Sequence, residues 1–365
     1  MNTVRYKILM IMLLTGVLAW ANNPIKGKYK KLKVINKVFS VNSDANLHLD
    51  NTYGNITITS WQKNEIEITV KITASSDDPE LAEKKLNDIT ISISGDEQNV
   101  YAKTNVEDSG YSSGGSLFSY FFGKHVATIN FQINYEVKMP VTNNLYINND
   151  YGDIYIDELQ GNLDLDADYG KFVIGDLTGE HNTINIDYFS HSEIDFIKTG
   201  RINADYSTLN ITNAYNLKVE SDYTKLHIDK IRNLRFSNDY GSISVDNSMV
   251  INGDGDYQTR YFGNVNDVYF SGDYGSIKIE NIRPNFDRIN LKCDYTNIRI
   301  DNTQQASYKF TMDQEYGCFK YDNLKVYKQI EDSGDKHIEA TYGNENTNSS
   351  IKINSDYGCV KIYNN

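Results

Sequence analysis

The stretch "SNDYGSISVD", residues 237–246, joins an acid, a tyrosine and a glycine to apolar residues at alternate positions. Similar phrases recur along the chain, and four successive steps of 17 residues separate Tyr206 from Tyr274. Aligned on the tyrosine, thirteen sites appear, with Asp or Glu before eleven of them and Gly after eight. The sites are Tyr53, Tyr151, Tyr169, Tyr188, Tyr206, Tyr223, Tyr240, Tyr257, Tyr274, Tyr295, Tyr316, Tyr342 and Tyr357.

The residues on both sides of each tyrosine alternate between apolar and polar. Leu234 and Phe236 precede Tyr240, and Ile243 and Val245 follow it, with polar residues in between. This is the period of a half-buried strand, found twice per repeat. Glycine after the tyrosine supplies backbone freedom for a corner, and the preceding Asp favours an Asx turn. The chain is therefore predicted to turn at every phrase.

A repeat of about 17 residues with two short strands cannot bury its own apolar face, so each unit must cover its neighbour. If successive units coil in parallel, equivalent residues stack about 4.8 Å apart. We therefore predict an all-β fold, a parallel β-solenoid of about 12–13 short rungs. The rival is a stack of antiparallel hairpins with each phrase as a hairpin turn. Uniform spacing favours the solenoid, because parallel stacking needs the same residue at the same place.

Residues 22–140 differ from the repeats and are predicted to form the first rung plus a mainly-β strand–helix–strand cap, before a solenoid domain at 141–365. In "SSDDPELAEKKLNDI" (75–89), Asp78 is a suitable helix cap and Pro79 suits the first turn, which predicts one α-helix. Around Tyr188 the apolar residues come one position late, which predicts a bulge.

Two segments suggest contacts with other molecules. The loop "EDSGYSSGGSLFSYFFGKH" (107–125) carries Phe118, Tyr120, Phe121 and Phe122, either as an exposed contact tip or folded back on the cap. The sequence ends in "SDYGCVKIYNN", directly after a predicted strand. An uncapped last rung predicts end-to-end self-association through the C-terminal edge.

The amino-terminal residues 1–21 are predicted to be a secretory signal peptide, cleaved near Ala21, which places the protein in the periplasm or at the cell surface. A formal net charge of −13 disfavours nucleic acid as a partner. The three cysteines, Cys293, Cys318 and Cys359, form no metal motif, and their wide spacing favours small packing residues over a disulfide.

Stacked rungs would align the acids and the tyrosines of the phrases into two columns. Carboxylates about 5 Å apart repel, and Ca²⁺ relieves the repulsion; the alternative is that each Asp bonds to its own turn. Stacked tyrosines are suited to bind the sugar rings of a glycan; the alternative is a purely structural ladder packed along one corner. The candidate calcium column is Asp205, Asp222, Asp239, Asp256 and Asp273, and the candidate tyrosine ladder is Tyr206, Tyr223, Tyr240, Tyr257 and Tyr274.

The sequence gives little sign of catalysis. The six histidines are scattered, and no HExxH, GxSxG, phosphate-loop or CxxC motif occurs. A polysaccharide lyase or hydrolase on a β-helix is the alternative, which clustered carboxylates beside Arg or Lys in a groove would support. A periplasmic sensor or scaffold acting through the cap is the third interpretation.

The chain resembles the "putative adhesin" β-strand-repeat family of bacterial envelope proteins. The resemblance lies in "LHLDNTYGNITITSWQKNEIEITVKITA" (47–74), the helix "PELAEKKLNDI" (79–89) and "INYEVKMPVTNNLYINNDYGDIYIDELQGNLDLDADYG" (133–170), together with the signal peptide. It implies a secreted, solenoid-like, non-enzymatic surface or periplasmic protein, and it supplies no catalytic or binding residues.

Overall fold

The computed structural model describes residues 27–107 and 129–364, where the chain forms a parallel β-solenoid. Each rung has one strand that ends one to three residues before a tyrosine and a second strand that begins shortly after it. The first strands are β2 (Asn46–Thr52), β8 (Asn144–Asp150), β10 (Leu163–Asp168), β12 (Asn182–Asp187), β18 (Asp267–Ser271), β20 (Arg288–Lys292), β22 (Tyr308–Glu315) and β26 (Ser350–Asp356). The second strands are β3 (Ile56–Trp61), β9 (Ile154–Leu159), β11 (Phe172–Leu177), β17 (Gln258–Val265), β19 (Gly275–Ile282), β21 (Thr296–Asp301), β23 (Cys318–Tyr321) and β27 (Cys359–Tyr363).

In the middle of the solenoid, four long strands run from the second strand of one rung into the first strand of the next. Equivalent residues pair in parallel register, as Leu217 does with Leu234 and Asp222 with Asp239. The parallel solenoid is thus confirmed, and the hairpin stack is wrong for the repeats. The long strands are β13 (Ser192–Asp205), β14 (Thr208–Asp222), β15 (Lys225–Asp239) and β16 (Ser242–Asp254).

The core lies between the two strand columns, where the apolar pairs of the repeat face one another. Leu234, Phe236, Ile243 and Val245 are all buried, as the alternation predicted. Each buried side chain of this size contributes about 1.5–3 kcal/mol relative to exposure. No rung encloses a core by itself, so the neighbours above and below supply the cover.

The corner after Tyr188 contains one more residue than its neighbours. Ile174, which lies five residues after Tyr169, pairs with Ile194, which lies six residues after Tyr188 in the next rung. His191 takes the extra place with a φ of 55°. The predicted irregularity is therefore present, as a longer corner.

One inward position carries a charge. Arg260 stands between Ile243 and Ile277 in the stacked column and is fully buried. Its guanidinium lies 4.1 Å from the ring centroid of Phe270 and donates to the carbonyl of Gly255, while Nε and Nη1 have no partner. Burial lowers the pKa of Arg260 to about 10, so the side chain stays charged at neutral pH.

The amino-terminal end of the solenoid is covered by additional strands and the helix. One layer stacks β6 (Asn99–Val106) on β2 in parallel and β5 (Ile89–Gly95) on β6 antiparallel. The other layer adds β7 (Ile129–Pro140), β4 (Glu65–Ser76) and β1 (Tyr29–Ser40) beyond β3. In the helix, Asp78 accepts a hydrogen bond from the Glu80 amide, Pro79 begins the first turn, and Ala82 and Leu86 are buried. The helix is confirmed as predicted. It is called α1 (Pro79–Asn87).

At the other end, the last rung in sequence is not the last in space. Strand β26 pairs in parallel with both β20 and β22, and β27 pairs with both β21 and β23. The rung of Tyr357 is therefore inserted between those of Tyr295 and Tyr316. The end is formed by an antiparallel hairpin on β22, made of β24 (Lys325–Asp332) and β25 (Asp335–Tyr342).

The inserted rung corrects two predictions. The C-terminal strands are paired on both sides, so the expected uncapped C-terminal rung, and end-to-end association through it, is wrong. Tyr342 ends a hairpin strand and lies against Tyr308, outside the column of phrase tyrosines. The predicted domain boundary at 140/141 stays a prediction, since β7 ends at Pro140 and the next strand begins at Asn144 in the same stack.

The cysteine prediction is wrong for two of the three residues. Cys318 and Cys359 face each other on β23 and β27 and form a disulfide. The insertion brings together residues that are 41 positions apart in sequence. Cys293 is a buried free thiol, in agreement with a packing role. Within the described ranges, no helix is long and apolar enough to span a membrane.

Candidate functional site

Twelve tyrosines at the first corners form one continuous column, here called the tyrosine ladder. Neighbouring ring centroids are 4.7–5.4 Å apart, and the ring planes lie within 15° of each other. Eleven steps of about 4.8 Å give the ladder a length of about 53 Å. In spatial order it comprises Tyr53, Tyr151, Tyr169, Tyr188, Tyr206, Tyr223, Tyr240, Tyr257, Tyr274, Tyr295, Tyr357 and Tyr316, and all five predicted tyrosines belong to it.

Every ladder tyrosine has a left-handed backbone, with φ between 49° and 65°. A side chain in this region costs roughly 1–2 kcal/mol relative to right-handed backbone. The amide of each ladder tyrosine except Tyr316 donates to the carbonyl of the acid in the next rung, as from Tyr223 to Asp239 over 3.0 Å, and the Tyr316 amide donates to the Gly334 carbonyl. Stacking and this bond hold the conformation in place.

The glycine after the tyrosine has a different role from the one predicted. The left-handed residue is the tyrosine itself, and Gly152 and Gly170 have ordinary φ values. A Cβ on Gly152 would lie 1.9 Å from the carbonyl oxygen of Gly54, and one on Gly170 would lie 2.3 Å from that of Gly152. Glycine is therefore needed because backbones of successive rungs approach closely.

The ladder shows ring edges and hydroxyls to solvent. Each ladder tyrosine is between 39% and 60% exposed, but both faces of every ring except those of Tyr53 and Tyr316 at the ends are covered by the rings above and below. Within the described residues, no ladder hydroxyl forms a hydrogen bond to the protein. Desolvation and the neighbouring phenols raise the pKa of Tyr206 and Tyr240 above the ordinary value. The hydroxyls of Tyr206 and Tyr240 are thus protonated donors at neutral pH.

A column of acids runs beside the ladder and is tied to the backbone. The Asp205 carboxylate accepts from the Asp222 amide over 2.8 Å, and that of Asp239 accepts from Asp256 over 2.7 Å. Asp256 in turn accepts from the Asp273 amide over 2.7 Å. These bonds link rungs, unlike the predicted bond of each Asp within its own turn. The acid column, as it is called here, consists of Asp150, Asp168, Asp187, Asp205, Asp222, Asp239, Asp256, Asp273, Asp294, Glu315 and Asp356.

Part of the acid column resists ionisation. The pKa values of Asp150, Asp168 and Asp187 lie above the ordinary carboxyl value, first because of desolvation and then because of neighbouring carboxylates. Ionisation of these three carboxyl groups therefore costs desolvation and electrostatic repulsion along this edge of the solenoid.

The candidate calcium residues do not gather into a compact cage. Residues 27–107 and 129–364 contain one group of three His, Cys, Asp or Glu side chains whose ligand atoms all lie within 4.8 Å of one another. The group is His227, Asp229 and Asp246. His227 Nε2 is 2.9 Å from Asp229 Oδ1 and 3.9 Å from Asp246 Oδ2. Calcium binding by Asp205 and its neighbours stays a prediction.

One histidine sits among carboxylates at the far end of the solenoid. His337 Nδ1 is 2.6 Å from Asp313 Oδ1, and Nε2 is 2.9 Å from Glu339 Oε1. These bonds engage both ring nitrogens and raise the pKa of His337 above its ordinary value. Such a ring is poorly suited to act as a general base.

Two predicted regions lie outside the described residues: the signal peptide, and the contact tip of Phe118, Tyr120, Phe121 and Phe122.

Comparisons with known proteins find solved structures of low sequence identity and low TM-score. No family model matches the chain, and none of the curated proteins matches it. A "putative cell adhesion protein" from Clostridium sporogenes is 11% identical, with 92% of this chain and 100% of that chain covered and a TM-score of 0.18. A "putative adhesin" from Bacteroides fragilis is 12% identical over 91% and 97% of the two chains, with a TM-score of 0.27. A "putative adhesin" from Parabacteroides distasonis is 10% identical over 73% and 92%, with a TM-score of 0.32.

Proposed function

We propose that this chain is a secreted, non-enzymatic, adhesin-like protein of the bacterial envelope, and that the tyrosine ladder with the acid column is its contact surface. The observation that carries the proposal is the unbroken row of twelve exposed phenol edges, with eleven acids beside it. A structural ladder alone has no need for a row of free hydroxyls. The sequence resemblance and the predicted signal peptide support export to the periplasm or cell surface.

The surface is suited to an extended polymer with many hydroxyl groups, such as an envelope glycan. Phenol hydroxyls donate and carboxylates accept, so the edge offers both partners of a sugar hydroxyl at every rung. Because the ring faces are covered, sugars bind here through hydrogen bonds, and stacking is available only at the ladder ends. Each bond is weak by itself, and repetition along about 53 Å raises the overall affinity.

The test is a glycan array and a cell-wall pull-down with the mature protein, in the presence and absence of Ca²⁺. The main variant changes five ladder tyrosines to Phe, which removes the hydroxyls and keeps the stacking. We expect binding to fall at least about tenfold, because several hydrogen bonds to the ligand are lost together. The five changes are Tyr206→Phe, Tyr223→Phe, Tyr240→Phe, Tyr257→Phe and Tyr274→Phe.

The control changes exposed tyrosines away from the ladder, Tyr101→Phe and Tyr327→Phe, and leaves binding unchanged. Equal binding by the ladder variant and the parent would refute the proposed surface. If binding is lost instead when Phe118, Phe121 and Phe122 are changed to Ser, the site belongs to the contact tip. If glycan binding depends on Ca²⁺, and the substitutions Asp222→Asn and Asp239→Asn abolish that dependence, the result would support the calcium column. Release of shortened glycan from incubated cell walls would favour the enzyme alternative.

A further inference from the structure

The second corners of the solenoid, where a second strand passes into the next first strand, contain a groove of about 520 Å³. Its charge is opposite to that of the acid column. Lys230, Arg232 and Arg283 line it, and no Asp or Glu is among its lining residues in the described part of the chain. On a chain with a formal net charge of −13, three cations without an acid mark a local positive field.

Two of the three cations lie on the same rung and are free. Lys230 and Arg232 are exposed on β15 and form no ion pair or hydrogen bond with other described residues. Arg283 reaches back across two rungs: it donates to Asn266 Oδ1 over 3.3 Å on the first, and to the Ser248 carbonyl over 2.8 Å and Asn247 Oδ1 over 3.4 Å on the second. Asn247 pairs with Lys230 in the strand register, so the guanidinium of Arg283 lies beside the rung adjacent to that of the free cations.

The groove also has an apolar wall with an open aromatic ring. Tyr215 is 52% exposed and meets Phe196 edge to face, with ring centroids 5.2 Å apart and planes at 83°. Unlike the ladder rings, Tyr215 is not held between two parallel rings. Ile231 and Met249 continue the apolar surface beside it.

We propose that this groove, here called the basic groove, binds a carboxylate-bearing sugar polymer. An apolar sugar face suits Tyr215, sugar hydroxyls suit the amide of Asn247, and carboxylates suit the guanidinium of Arg232. One carboxylate of the polymer would meet Lys230 and Arg232, and another would meet the guanidinium of Arg283 beside the adjacent rung. A bare phosphate would leave the apolar wall unused. The site is separate from the tyrosine ladder and opposite in charge to the acid column.

The test measures Kd for the mature protein with polygalacturonate and with the same polymer after methyl esterification. We expect binding to the acid form and at least about tenfold weaker binding to the ester, because the ester cannot pair with the cations. The double variant Lys230→Gln/Arg232→Gln weakens binding by a similar factor. Its control, Arg235→Gln/Lys292→Gln, removes two exposed positive charges from the outer face of the first strands and changes Kd less than about twofold.

Several outcomes would overturn the assignment: no binding of polygalacturonate, equal binding of acid and ester, or equal effects of the two double variants. Tighter binding of inorganic polyphosphate would replace carboxylate by phosphate as the ligand chemistry. Salt-sensitive dimerisation abolished by Lys230→Gln/Arg232→Gln, without glycan binding, would assign the groove to a second copy of the chain. The variant with five ladder tyrosines changed to Phe leaves polygalacturonate binding unchanged. Failure of this proposal can therefore be distinguished from failure of the proposed function.

Discussion

Replacing one ladder tyrosine separates the two effects that act on it, ring stacking and backbone strain. Tyr240 stacks on Tyr223 and on Tyr257, each at 4.9 Å between centroids, and its φ is 51°. Loss of two stacking contacts at about 0.5–1.5 kcal/mol each predicts a destabilisation of about 1–3 kcal/mol. Alanine at this place keeps the left-handed strain, whereas glycine relieves roughly 1 kcal/mol of it.

The expected order of stability is therefore Tyr240→Phe close to the parent, Tyr240→Gly lower, and Tyr240→Ala lowest. Phenylalanine keeps both stacking contacts, and the lost hydroxyl has no partner among the described residues. Thermal unfolding followed by circular dichroism gives the order. Amide hydrogen exchange in β15 and β16 localises the effect, because the stability of a repeat array depends on neighbouring units. If Tyr240→Ala is more stable than Tyr240→Gly, the left-handed backbone is not a source of strain and the reasoning fails.

Three further predictions concern the core, the disulfide and the acid column. Arg260→Ile continues the isoleucine column and removes two unpaired donors, so we expect stabilisation by about 1–4 kcal/mol in urea unfolding; destabilisation would show that the buried charge supports the fold. Cys318→Ser/Cys359→Ser opens a link across 41 residues and should lower the free energy of unfolding by about 4 kcal/mol, whereas an unchanged value would mean that the bond is not formed in solution. Since the folded-state pKa values of Asp168 and Asp187 are raised, their charged forms destabilise the fold above those pKa values, and acidification relieves this. Asp168→Asn/Asp187→Asn should therefore raise the melting temperature at pH 7 and have little effect at about pH 3; a constant difference between the two pH values would contradict the sign.

The body of the solenoid could be predicted from the local sequence pattern, because every rung repeats the same physical requirement. Apolar pairs such as Leu234 and Phe236 must face inward, and constant spacing allows one rung to cover the next. The tyrosine ladder followed from the same argument. The pattern did not reveal which residue of the corner has positive φ, because glycine is the usual residue there and the tyrosine's strain is offset by contacts with other rungs.

The far end was not predictable from the same pattern. Tyr342 lies in a phrase, "TYGN", that reads like a corner, although it ends a hairpin strand. The missed signal was "DSGD" between two alternating stretches, which is typical of a two-residue hairpin loop. Ser333 and Gly334 indeed have φ values of 52° and 106°. The basic groove was missed because Tyr215 and Arg283 lie 68 positions apart in numbering and meet only through stacking.

The insertion of residues 350–363 between two earlier rungs has a consequence for how the chain is made. A polypeptide emerging from the ribosome, or crossing a membrane amino terminus first, can add rungs in order only as far as Tyr295. The segment that contains β22 to β25 cannot yet take its position on the stack, because that position depends on strands that emerge last. The end of the rod therefore closes only once the carboxyl-terminal strands have arrived, and the disulfide from Cys359 to Cys318 forms after that event.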